Sequence, residues 1–196
     1  MAETPPSVIV LAGPNGAGKS TSARTLLAER LSVATFVNAD VIAQGLAGFD
    51  PASAAVEASR IMLERLYALA DQRADFAFET TLAARSYAPW LRGLREKGYV
   101  LHLAYIWLAS PDVAVARVAQ RVLQGGHDVP EATVRQRYRR SVRNFFTLYR
   151  PLSDLWQVYD NTPPDQPVLI ASGERENENV ADLDRWSAFQ KSAEND

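Results

Sequence analysis

With 196 residues and 47% hydrophobic content, the chain can bury one substantial core but not two ordinary ones. A net charge of −2 excludes a polyanion-binding balance for the whole molecule, so no nucleic-acid partner is expected. The lack of cysteine excludes disulfides and thiolate metal sites. No apolar run reaches transmembrane length and the opening MAETPPS lacks a signal peptide's regions, so the expected location is cytoplasmic, with no membrane partner.

In chain order, β-branched and aromatic apolar runs predict strands at residues 8–12, 35–38, 76–78, 100–108, 157–159 and 167–171. Helical spacing predicts helices at 19–31, 51–72, 84–97, 111–124, 131–149 and 176–190. Asp50-Pro51 and Ser110-Pro111 read as capped starts, and Lys97-Gly98 and Gln124-Gly125 as glycine stops. Strands alternating with helices give an α/β domain whose parallel sheet is covered on both faces. The helices at 111–124 and 131–149 break this alternation. They flank GGHDVP (125–130), and the pair reads as a helical lid over about 111–150 on a single domain of 1–173. Residues 174–196 read as an acidic C-terminal surface helix and tail.

Chemistry begins between the first strand and the first helix. Gly13-Pro14-Asn15-Gly16-Ala17-Gly18-Lys19-Ser20, followed by Thr21, fits the phosphate-loop pattern G-x-x-x-x-G-K-[ST] in its strand–loop–helix context. Glycines let backbone N–H groups turn inward around a phosphate chain, and the helix start adds partial positive charge. Lys19 is expected on the β- and γ-phosphates of ATP and Ser20 on Mg²⁺. A transporter-type motor would also carry an LSGGQ-like signature and a strand ending in Asp-Glu, and a switch GTPase would carry Asn-Lys-x-Asp. None of these strings is present.

In a parallel sheet, ligands gather beyond the carboxyl ends of the strands. Asp40, after FVNAD (36–40), and Glu79, after FAFE (76–79), both fall there. Asp40 can take a proton from an acceptor hydroxyl, hold a metal-bound water, or cap a helical turn starting at Val41. Glu79 is expected to meet Mg²⁺ through water, with Thr81 in the same mouth; either residue could instead cap the following helix. The stretch 117–150 holds eight arginines against Asp128 and Glu131. Arg117 and Arg121 share one helix face, and Arg137 and Arg140 can share another. Guanidinium groups from such a cover can meet charge developing on a γ-phosphate. His127, in the connector, is placed to touch a substrate. Trp90, Trp107 and Trp156 read as packing residues.

The ordered series GPNGAGKST, FVNAD, FAFETTLA, RVLQGGHDVP, RYRRSVRNF and VYDNT resembles the compact zeta-toxin-like P-loop kinases. The resemblance spans about residues 8–162. It implies a nucleotide-kinase-like P-loop NTPase sheet and transfer of the ATP γ-phosphate to a sugar hydroxyl, that of UDP-N-acetylglucosamine in the better-known zeta toxins. It implies further that Asp40 is the acceptor base, that Glu79 and Thr81 follow the central strand, that Arg121 and Arg137 are lid arginines, and that residues 160–162 form the adenine-side loop. An antitoxin protein is the partner it suggests. Two other readings stay open from the residues alone: an NTP hydrolase without an acceptor, and a non-enzymatic ATP sensor.

Overall fold

The computed structural model describes residues 4–23, 35–126, 128–163, 166–175 and 177–194. Seven strands form one sheet: β1 (Ser7–Ala12), β2 (Phe36–Val37), β3 (Phe76–Thr80), β4 (Val100–Trp107), β5 (Leu155–Asp160), β6 (Val168–Glu174) and β7 (Asn177–Val180). Their order is β2-β3-β1-β4-β5-β6-β7. The first five run parallel, so the residues that follow them collect along one edge. The helices are α1 (Lys19–Ala23 as described), α2 (Ala39–Leu46), α3 (Ala55–Asp71), α4 (Tyr87–Glu96), α5 (Pro111–Leu123), α6 (Glu131–Asn144) and α7 (Leu183–Glu194). The rest of the first expected helix, 24–31, lies outside the described residues.

The register explains the core. Side chains paired across a parallel ladder share a face, so Phe76, Phe78, Leu103, Tyr105, Trp107 and Trp156 line one side of the sheet. Trp90 of α4 meets Phe76 and Phe78 at 6.2 and 5.9 Å. Phe189 of α7 meets Tyr105 and Trp107 at 5.3 and 5.5 Å. Trp107 and Trp156 are buried as packing residues and Trp90 is half-buried. The α5–α6 hairpin is bolted to this layer at its base. Tyr105 and Ser141 share a hydrogen bond of 2.8 Å, Trp107 donates to Tyr138 at 3.1 Å, and Tyr138 donates to the Leu108 carbonyl at 2.7 Å.

Four expectations are corrected. The helix expected to run to Tyr149 ends as α-helix at Asn144 and continues as one π-helical turn, Phe145–Tyr149, which carries two bulky aromatics into the core. The expected helix at 176–190 is replaced by β7 and then α7. β6 and β7 are antiparallel to β5, closing the sheet with a hairpin instead of extending the parallel series. Asn177–Val180 is a mostly exposed polar edge strand, and such a strand carries no apolar alternation to announce it. α7 is also more than a surface helix, because Trp186 and Phe189 are buried. Trp186 stacks on Trp156 at 5.6 Å, and Arg150 lies over the Trp156 ring at 4.5 Å while pairing with Glu178.

Candidate active site

The phosphate loop turns on glycines whose neighbours leave no room for a side chain. Gly16 (φ +76°) presses against α5, where an added Cβ would stand 2.8 Å from the Ala114 carbonyl and 3.2 Å from Arg117 Cβ. Gly18 (φ +80°) would place a Cβ 2.6 Å from Asn161 Nδ2. That amide lies just past β5 and donates to the Ala17 carbonyl at 2.8 Å. The two braces are themselves tied together, since Arg117 donates to the Thr162 carbonyl at 3.3 Å and Thr162 Oγ1 accepts from Ala109 N at 2.8 Å. Arg117 is thus a structural pin. Asp160, 4% exposed, accepts from Thr162 N and pairs with Arg185 of α7.

Within the loop, Gly13, Pro14 and Ala17 are buried, and Asn15 Oδ1 is buried without a hydrogen-bond partner. Ser20 and Thr21 are exposed at the start of α1. The Lys19 ammonium is 7% exposed, donates to the Pro14 carbonyl at 3.0 Å and stands 3.7 Å from Glu79. Burial pushes its pKa below the ordinary 10.5; Glu79 and Asp40 pull it back up, and Arg121 pushes it further down. Glu79 is the expected charge brought within 4 Å of Lys19, and Asp40 and Arg121 also act on it electrostatically. Arg137 is half-buried on α6.

Glu79 binds the site together. Its Oε2 accepts from Ser20 Oγ at 2.7 Å and from Asn38 Nδ2 at 2.7 Å. It does not cap α4. The α2 cap is Asn38, whose Oδ1 accepts from Asp40 N and Val41 N, so the exposed Asp40 carboxylate is left out of the capping bonds. Thr81 is half-buried, and its Oγ1 accepts only a long local bond from Ala83 N at 3.5 Å. The loop after β3 is nonetheless firm. Leu82 sits fully buried at φ +59°, and Asn144 Nδ2 donates to the Leu82 and Ala83 carbonyls at 2.9 and 3.2 Å. Tyr149 adds a bond to the Ala84 carbonyl. His127 lies outside the described residues. Arg121 is oriented by its own connector, for an added Cβ on Gly126 would stand 2.6 Å from Arg121 Cγ.

Sequence reasoning missed Asn38, Asn144 and the bracing role of Asn161. A local signal existed only for Asn38: an Asn directly before a helical stretch is a strong cap candidate. The donor set suits a hard cation. One hydroxyl, Ser20, and one carboxylate, Glu79, are what Mg²⁺ takes from a protein when phosphates and waters fill its other positions. A buried ammonium whose nearest carboxylate stands beyond hydrogen-bond range likewise suits an anionic ligand.

The AAA-domain family model matches residues 8–143. An uncharacterized protein of Haemophilus influenzae is 30% identical over 130 residues, which is 66% of this chain and 91% of that protein. Among solved structures, the AvrRxo1-ORF1:AvrRxo1-ORF2 complex with sulphate ions superposes with a TM-score of 0.75 at 17% identity, over 94% of this chain. This chain spans only 63% of that one. The same complex with ATP gives a TM-score of 0.73 at 16% identity, covering 94% of this chain and 63% of that chain. A chain of the PezAT chromosomal toxin–antitoxin system of Streptococcus pneumoniae gives 0.66 at 17% identity, over 100% of this chain and 81% of that one. At these identities the likeness is one of fold. The chain belongs to the AAA-domain family and has a P-loop kinase-like fold.

Proposed function

We propose that the protein is an ATP-dependent kinase that phosphorylates a hydroxyl of a sugar-class small molecule, with UDP-N-acetylglucosamine as the first acceptor to try. The observation that carries this reading is the exposed Asp40 carboxylate, uninvolved in capping, beside a buried Lys19 whose loop is braced from below.

The chain's own groups divide the work. Loop amides and Lys19 hold the phosphate chain of ATP and keep water out of its buried side. Mg²⁺, when bound, neutralises charge on the β- and γ-phosphates, and Ser20 and Glu79 are the residues that would hold it. Asp40 accepts the proton of the acceptor O–H as that oxygen attacks the γ-phosphorus. The bond from the γ-phosphorus to its bridging oxygen breaks, and ADP leaves with the electron pair. Arg121 meets the charge that builds on the transferring oxygens. Arg137 is proposed as a second lid arginine, and Thr81 and His127 as acceptor contacts. A partner protein that restrains the enzyme is proposed by analogy with the toxin–antitoxin system among the fold relatives. No helix among the described residues is long and apolar enough to cross a membrane.

The test is ADP release with and without UDP-N-acetylglucosamine and a panel of free sugars, with phosphosugar detected by mass. Acceptor-dependent ADP release with a matching phosphosugar supports the reading. ADP release indifferent to every acceptor overturns it in favour of a hydrolase.

A further inference from the structure

Asn38 is 5% exposed and lies between the two halves of the site. On one side its Oδ1 accepts from Asp40 N at 2.7 Å and Val41 N at 3.4 Å. On the other its Nδ2 donates to Glu79 Oε2 at 2.7 Å and approaches Ser20 Oγ at 3.4 Å. The amide can sit only one way round. Two backbone N–H groups require its oxygen, and a carboxylate requires its NH₂. A single planar group therefore spans from the helix that carries Asp40 to Ser20 and Glu79, the pair proposed to hold Mg²⁺.

β2 ends at Val37 and α2 begins at Ala39, so Asn38 is the whole joint between them. Among the described residues α2 packs on the main core through Ala39 and Ile42, and on α3 through Ala43, Ala54 and Ala58 with Ile42 and Ala47 against them. Apolar contacts of this kind hold a helix near its place without setting its direction. Catalysis is unforgiving here, because displacing a reacting group by about 1 Å can cost on the order of 10²-fold in rate.

We propose that Asn38 is a positioning residue that sets the Asp40 carboxylate at a fixed spacing from Ser20 and Glu79, so that acceptor hydroxyl and γ-phosphate meet in line. The inference rests on the roles proposed above for those three residues. It explains why an amide stands where a serine or an aspartate would cap the helix equally well.

Three variants separate the halves. Asn38→Asp keeps the cap but replaces the donor to Glu79 with a second carboxylate. Asn38→Ser keeps a cap and removes the reach to Glu79. Asn38→Ala removes both. The readouts are hydrogen exchange at the Asp40 and Val41 amides, Mg²⁺ titration of ATP-analogue binding, and acceptor-dependent transfer. Asn38→Asp and Asn38→Ser should keep both amides protected, yet shift half-saturating Mg²⁺ in opposite directions. The value should fall for the extra carboxylate and rise for the loosened Glu79, since ligand charge and rigidity tune such sites. Transfer should drop about 10–100-fold in both. Asn38→Ala should lose the amide protection as well, and transfer should fall by roughly a further tenfold. A general loss of folding would instead expose amides throughout and move Mg²⁺ dependence the same way in every variant, which overturns the proposal. So does an Asn38→Ala protein with wild-type protection and Mg²⁺ dependence. If the wild type transfers phosphate to no acceptor while the variants still show the split pattern, the bridge stands and the kinase reading falls.

Discussion

The two sides of the site are built differently. The phosphate side is gripped from several directions by directional contacts: Asn161 beneath Ala17, α5 against Gly16, Ser20 and Asn38 on Glu79. The proposed acceptor base, Asp40, stands on a helical hairpin, α2–α3, packed around Ala43, Ala54 and Ala58 and tipped by a fully exposed Phe49, with Val41, Leu46 and Val56 also exposed. In the proposed mechanism phosphate recognition is the same for every acceptor and gains from being pre-formed, because ordering it at each turnover would cost affinity. An acceptor has to be admitted and then enclosed, which suits an element that offers an open surface. The contrast can be broken or sharpened by substitution.

The largest expected effect is at Lys19. Lys19→Met should lower transfer by about 10³-fold or more while leaving the fold intact. It should also change how stability follows pH. The folded state lowers the Lys19 pKa below 10.5, so the unfolded chain holds the proton more tightly in the interval between the two values. Wild-type stability should therefore gain from Lys19 as pH rises through that interval, and Lys19→Met should lack the gain. Thermal melts at stepped pH values check this, and a variant that unfolds at neutral pH would mean the lysine serves stability instead of ligand binding.

Asp40→Asn comes next. It should reduce transfer by roughly 10²–10⁴-fold with ATP affinity and background hydrolysis unchanged, measured by calorimetry alongside phosphate release. Lost ATP affinity would move Asp40 to the phosphate side of the comparison. Arg121→Ala should cost about 10²-fold in rate with little change in ATP affinity, because its partner charge grows only in the transition state. Equal losses in both would make it a ground-state binder.

Asn161→Ala tests the brace. Leaving the buried Ala17 carbonyl without its donor should cost about 1–2 kcal/mol, seen as roughly five- to thirtyfold weaker ATP binding with the rate at saturation nearly kept. Phe49→Ser should be the smallest change, within about 0.5 kcal/mol in denaturant unfolding, because the ring rests against nothing in this state. A large loss there would show that the acceptor hairpin is as firmly built as the phosphate loop.

The phosphate side was legible because its signal is contiguous: one motif between one strand and one helix. The parallel strands were legible too, since their apolar runs are bounded by helices. The placement of Glu79 in β3 and of Asp40 just past β2 followed from strand ends in such a sheet. Arg135, pairing with Asp112 and Glu131, and Arg150, over Trp156, turned out to be structural. Asn38 reads from the sequence as the end of a strand because it follows two apolar residues; in three dimensions the strand stops one residue earlier. β6 was legible as the apolar run at 167–171, whereas β7 stayed hidden because an exposed edge strand needs no buried face.

The bond from Asn161 to Ala17 closes a span of 144 residues. During synthesis at about 5–20 residues per second, the phosphate loop therefore exists for roughly 7–30 s before the amide that braces it has even been made. Over that interval the nascent chain can present its glycine-rich turn but cannot hold it in its finished shape. The activity proposed for this fold is thus withheld from the growing polypeptide by the order in which its parts appear.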